Sequence, residues 1–128
     1  MKLLLDTHAF IWADAEPQKL SASAKAACED PANQLVLSTV SVWEMQIKMA
    51  LGKLTLRAQI RLIVEDWIQQ SGLAILPVNL EHVLHLSDLP SHHKDPFDRM
   101  LIAQALTEGW EIVSHDLAIR QYPVKVIW

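Results

Sequence analysis

Short apolar runs of strand length alternate with longer stretches of helical periodicity along the chain. Lys2–Leu5 reads as a first strand, followed by a helix over Thr7–Ala13. Ser21–Asp30 reads as a second helix, with Leu20, Ala24, Ala27 and Cys28 on one face, and Leu35–Ser38 as a second strand. The helix Val40–Leu51 carries an apolar stripe of Val40, Trp43, Ile47, Ala50 and Leu51. Gly52 stands where a left-handed residue is needed to end it. A further helix over Ala58–Gln70 puts Ile60, Ile63, Val64, Trp67 and Ile68 on one stripe, with Arg61, Glu65 and Gln69 on its other faces. Then come a strand over Ala74–Val78, a helix from Asn79 to about Leu89, and a helix over Pro96–Glu108 that stops at Gly109. Glu111–Ser114 and Val124–Ile127 complete the strand set.

Strands separated by helices of this length pair in parallel through right-handed crossovers. The expected fold is a three-layer α/β/α sandwich around a mostly parallel five-stranded sheet, with Lys2–Leu5 central. No linker, repeat or low-complexity tract divides the chain, so residues 1–128 are read as one domain. In such sheets chemistry gathers beyond the carboxyl ends of the strands, near the reversal of strand order.

Composition narrows the chemistry. A 14.5 kDa chain is expected to keep about 7,000 Å² of the roughly 21,000 Å² it exposes when unfolded, and the 51% apolar content supplies the core. The only glycines, Gly52, Gly72 and Gly109, are too scattered to build a G-x-G-x-x-G turn or a phosphate-binding P-loop. One cysteine, Cys28, makes no internal disulfide and no Cys-based zinc site, and it reads as a small core residue. Asp6 interrupts the only apolar run near the amino terminus, and nothing approaches the ~18 residues of a membrane span. The chain is therefore expected to be soluble and cytoplasmic, with no membrane partner. A net charge of −4 counts against nonspecific DNA binding, but not against an enzyme that gathers carboxylates around a metal.

Four acids stand where solvation does not explain them. Asp6 directly follows an apolar strand, although it also suits the N-cap of the next helix. Glu44 lies four residues after Val40 and three before Ile47, inside an apolar stripe, unless it curls out or pairs with Lys48. Asp98 precedes Leu101 and Ile102 on the apolar face of its helix. Capping accounts for Asp95 in Asp95-Pro96-Phe97-Asp98, but not for the side on which Asp98 falls. Asp116 follows a strand as Asp6 does, and it equally suits a cap for Leu117–Gln121. One explanation covers all four if they converge. Like charges that close need a counter-cation, and hard oxygen donors suit Mg²⁺ or Mn²⁺. Such a site is suited to hydrolysing a phosphodiester.

The stretches Leu3–Trp12, Ser41-Val42-Trp43-Glu44, His93–Ala105 and Val113-Ser114-His115-Asp116 resemble the PIN-domain toxins of VapC type. The likeness runs from Met1 to Trp128 and includes the Gly52-Lys53-Leu54 turn, and the run D-P-F-D-R-x-L-I-A-Q-A is specific to this subgroup. The resemblance implies a metal-dependent endoribonuclease that serves as the toxin of a type II toxin–antitoxin module. The family's four acidic positions match Asp6, Glu44, Asp98 and Asp116. One departure is Ser114-His115, where many relatives carry a threonine and a basic residue. Also implied are an RNA substrate, a cognate antitoxin, a homodimer, a larger complex with the antitoxin, and DNA contact only through that partner.

In this reading Asp6 and Asp98 hold Mg²⁺, or Mn²⁺ in its place, and Asp116 assists the same or a second ion. Glu44 would orient a water and help to deprotonate it. Thr7 and Ser114 read either as donors to the acids or as ordinary cap hydroxyls. Arg99 reads as a phosphate contact or a solvated cation, and Lys48, Lys53, Arg57 and Arg61 as a local RNA track or plain surface. Trp12 and Trp43, each near an acid, are expected to border the pocket. His82, His85, His92 and His93 are too irregularly spaced to suggest zinc, and Ser114-His115-Asp116 cannot form a triad in extended chain. A phosphatase would want an acid at His8. The competing reading is a catalytically silent PIN scaffold that only binds a protein partner.

Overall fold

The structure, a computed structural model, describes residues 1–128. Strands β1 (Lys2–Leu5), β2 (Gln34–Ser38), β3 (Ala74–Leu76), β4 (Glu111–Val113) and β5 (Val126–Ile127) form one sheet in the order β3-β2-β1-β4-β5. Every pairing is parallel, as the alternation of elements predicts, and β1 is central, as the alternation and the resemblance together imply. Leu5 stands opposite Leu37 on one side and Val113 on the other, so β1, β2 and β4 reach a common carboxyl edge. Order reverses there: the chain moves outward through β2 and β3, then returns to the other side of β1 for β4. The accessible surface, 7065 Å², agrees with the scaling for a chain of this mass.

Successive side chains of a strand point to opposite faces, and the core divides accordingly. Leu3, Leu5 and Leu37 pack with Phe10, Ala24, Met45 and Ile63 from helices α1 (Thr7–Ala15), α2 (Ala22–Glu29), α3 (Thr39–Ala50) and α4 (Ile60–Ser71). Leu4, Val36 and Ile112 pack with Leu101, Ile102 and Ala105 of α6 (Pro96–Glu108). The short helix α5 (Leu80–His85) lies against α6, where buried His82 meets Glu108 at 2.9 Å. Three layers result. Helix α3 is the exception, giving Val40 to one cluster and Met45 to the other.

Helix α6 has the limits that the sequence predicts, from the Asp95 cap to left-handed Gly109 at φ 74°. Other elements differ. The Asn79–Leu89 segment is an Asn79-capped helix that tightens into a 3-10 turn at Leu86–Asp88. Strand β3 ends at Leu76, and β5 shortens to Val126–Ile127. Cys28 is only half-buried, although it packs on the core and burial raises its thiol to about 11. The larger correction concerns α3. Its buried face is Val40, Ser41, Glu44 and Met45, whereas Trp43 is 59% exposed and Leu51 is also exposed. The periodicity of the large apolar residues misleads here because small Ser41 lets α3 approach α1, and Thr7 receives the acid between them.

Candidate active site

The carboxyl edge of the sheet sets the site. Asp6 is the first residue beyond β1, and its backbone N–H still bonds to Val113 O in β4 at 3.1 Å. The side chain then turns over the start of α1 and accepts the Ala9 N–H at 2.7 Å. Cap and site position are thus compatible. Only 5% of Asp6 is exposed, and burial pushes its pKa up. The Ser114 hydroxyl, the Ala9 N–H and His8 oppose that rise, while Asp116 adds to it.

Glu44 reaches the same edge from α3 and is equally buried. Thr7 Oγ1 donates to Glu44 Oε1 at 2.6 Å, and Ser41 Oγ lies 3.0 Å from the same threonine oxygen. Lys48 Nζ pairs with Glu44 Oε2 at 2.9 Å, the i+4 contact that the sequence offered as an alternative. The pairing does not draw the carboxylate out of the buried face. Thr7 is therefore both the first residue of α1 and a donor to an acid 37 positions away.

Asp98 lies in the first turn of α6, where Asp95 takes the Phe97 and Asp98 N–H groups at 2.9 and 3.1 Å. With the cap filled by Asp95, the Asp98 side chain is left for the cleft. Burial raises its pKa to about 8, and Asp95, Asp116, Asp6 and Glu44 push in the same direction. Asp116 follows β4, donates its N–H to Ser114 Oγ at 3.0 Å and accepts the Ala118 N–H at 2.9 Å. Asp6, Glu44, Asp98 and Asp116 all line one cleft of about 660 Å³, together with Thr7 and Trp12.

Asp95 also lines this cleft, a fifth carboxylate that its capping role concealed. His93, set aside with the other histidines, is a second omission. One ligand atom each from His93, Asp98 and Asp116 lie within 4.8 Å of one another. His82, His85 and His92 go instead to Glu108, Thr107 and the Tyr122 ring, so the four histidines form no zinc centre. No spacing rule joins His93 to Asp116; only the return of the chain from α6 through β4 does so.

Several expectations are corrected by side-chain direction. Arg99 does not face the cleft: its guanidinium bonds to Pro90 O at 2.9 Å and to the Tyr122 hydroxyl at 3.1 Å. Arg57 is held by Asp14 and Asp66, and Arg61 pairs with Glu65, which leaves Lys48 and Lys53 beside the acids. Trp12 borders the cleft, but Trp43 turns away to meet Phe97 edge-on at 5.1 Å. Crowded hard oxygen donors, one of them held protonated near neutral pH, fit a divalent cation better than any soft or redox metal.

This sheet order and carboxyl-edge cleft are those of a PIN domain, and the chain belongs to that family, whose model matches residues 3–125. More particularly, it is 32% identical over 123 residues to Ribonuclease VapC22 of Mycobacterium tuberculosis (strain ATCC 25618 / H37Rv), covering 94% of this chain and 91% of that relative. Among solved structures, VapBC2 from Rickettsia felis bound to a promoter DNA fragment contains a chain of the same fold. It matches with a TM-score of 0.71 and 14% identity over 98% of this chain and 97% of that one. DNA-bound VapBC from Salmonella typhimurium gives a TM-score of 0.71 at 16% identity, covering 98% and 96%.

Proposed function

We propose that this protein is a divalent-metal-dependent endoribonuclease and the toxin of a type II toxin–antitoxin module. The observation that carries the proposal is the convergence of Asp6, Glu44, Asp98 and Asp116 on one cleft, with Asp98 raised to about 8. The kinship with a VapC ribonuclease supports it. Asp6, Asp98 and Asp116 would hold Mg²⁺, with Mn²⁺ as a substitute. When bound, the ion supplies Lewis-acid stabilisation of charge at the phosphoryl group and makes water more acidic. Glu44, fixed by Thr7 and Lys48, orients the attacking water and takes its proton. Lys48 and Lys53 attract the RNA backbone to an otherwise acidic rim.

The antitoxin would silence the site by delivering an Arg or Lys to the acids, since one guanidinium pairs with two carboxylates. A groove past His8, Ile11, Trp12 and Leu54 shares His8, Trp12 and Lys48 with the acid cleft, and so offers a continuous path for such a segment. The toxin would form a two-fold dimer and a larger complex with its antitoxin, with DNA binding left to the partner.

Cleavage of RNA should require Mg²⁺ or Mn²⁺ and stop with EDTA. Asp6→Asn and Asp98→Asn keep the shape but remove charge, and each should lower cleavage at least roughly a hundredfold. Glu44→Gln and Asp116→Asn should lower it comparably or somewhat less. Undiminished cleavage by the Asp6→Asn protein would place the activity elsewhere. A folded wild-type protein that binds no metal and cuts no RNA would be a silent scaffold for a partner.

A further inference from the structure

We propose that Tyr122 and Arg99 lock His93 in the tautomer that carries its proton on Nε2, and that this proton, aimed at Asp98, positions the Asp98 carboxylate. The functional consequence rests on Asp98 holding the metal, as proposed above; the tautomer does not. Counting hydrogens fixes it. Tyr122 is 3% exposed, and its phenol oxygen has one proton to give and two lone pairs to offer. Arg99 Nη1 lies 3.1 Å from that oxygen and the His93 backbone nitrogen 3.3 Å, and both can only donate. They occupy both lone pairs. The phenol proton therefore goes to His93 Nδ1, 2.9 Å away, which must be the bare nitrogen of the ring. A neutral imidazole then has its proton on Nε2.

That Nε2 is shielded from solvent and has no hydrogen-bond partner. Asp98 Oδ2 stands 3.5 Å from it and is the acceptor towards which this proton would turn. No backbone N–H reaches the Asp98 side chain as Ala9 reaches Asp6, so His93 is the donor placed to orient it once it is ionised. The anchor behind His93 is firm: Arg99 is also bound to Pro90 O at 2.9 Å and reaches Leu86 O at 3.5 Å. The chain thus runs from Arg99, one residue past Asp98, through Tyr122 and His93 back to Asp98. Metal-holding acids are commonly oriented by such outer donors, whose loss lowers metal affinity about 10- to 100-fold.

Ring nitrogen shifts of His93, measured by long-range ¹H–¹⁵N NMR on metal-free protein, test the tautomer. We expect a protonated Nε2 and a bare Nδ1, and a mixture of the two tautomers in Tyr122→Phe. Two substitutions then separate positioning from packing. His93→Asn keeps an acceptor at the δ position and leaves nothing at ε; His93→Gln returns an N–H to the ε position. The Asp98 carboxyl ¹³C shift should move in His93→Asn and stay near wild type in His93→Gln. Calorimetric titration with Mn²⁺ alone should weaken about tenfold in His93→Asn and stay within about threefold in His93→Gln. A proton on Nδ1, or the same ¹³C shift change in both variants, overturns the proposal. Absence of Mn²⁺ binding by the wild type would count against the nuclease reading, while the metal-free NMR measurements still decide this one.

Discussion

Asp98 is the residue on which burial and charge press hardest. Its pKa of about 8 means that the folded protein binds a proton between roughly pH 4 and pH 8 that the unfolded chain has released. The sign follows: Asp98 contributes nothing to stability where both states are protonated, and it costs progressively more as pH rises to about 8. Urea unfolding of the metal-free protein should therefore show a loss of stability over that window, and Asp98→Asn should flatten it. Asp95→Asn keeps the cap but removes the charge that pushes Asp98 hardest, so the Asp98 carboxyl should titrate lower by NMR. Binding of Mg²⁺ near pH 7 should expel on the order of one proton, read by calorimetry in two buffers of different ionisation enthalpy. An enthalpy independent of buffer would contradict the elevated pKa. Asp6 and Glu44 are legible as acids on apolar ground; the second role of Asp95 is hidden because its cap accounts for the acid locally.

At the scale of elements, punctuation was easier to read than faces. Asp95-Pro96 and Gly109 bound α6 where a cap, a proline and a left-handed residue must stand, and these signals are local. Gly109 has open space around its missing side chain, so the cost of Gly109→Ala comes only from its φ of 74°. That substitution should destabilise the protein by about 1 kcal/mol, measured by urea unfolding. The face of α3 could not be read the same way. Trp43 and Ile47 carry more apolar area than Ser41, yet Ser41 is buried because two helices and three polar side chains meet there. Partners distant in sequence decide such a face, and Thr7 and Ser41 are 34 positions apart. The route from His93 to Asp98 was invisible for the same reason, since its anchor, Tyr122, lies 29 residues further on.

For the whole molecule, the parallel sheet was legible from alternating strands and helices, while the strand order and the outer surfaces were not. Trp43, displaced from the expected core, joins Val78, Leu86, Phe97 and Met100 around an apolar hollow of about 560 Å³ on the side of the α3–α6 pair. An exposed apolar patch on a helix pair, close to the acid cleft, is the surface that the proposed dimer would cover. Light scattering should then give a dimer for the wild type and a monomer for Trp43→Glu; an unchanged mass would move the interface elsewhere. The acids themselves are dispersed: Asp6 follows β1, Glu44 comes from α3, Asp98 from α6 and Asp116 from the segment after β4. Translation proceeds in that order, so a nascent chain holds at most an incomplete set until the segment past β4 has left the ribosome. The proposed nuclease would thus lack its full set of acids towards the message that encodes it until Asp116 has emerged and the sheet has closed.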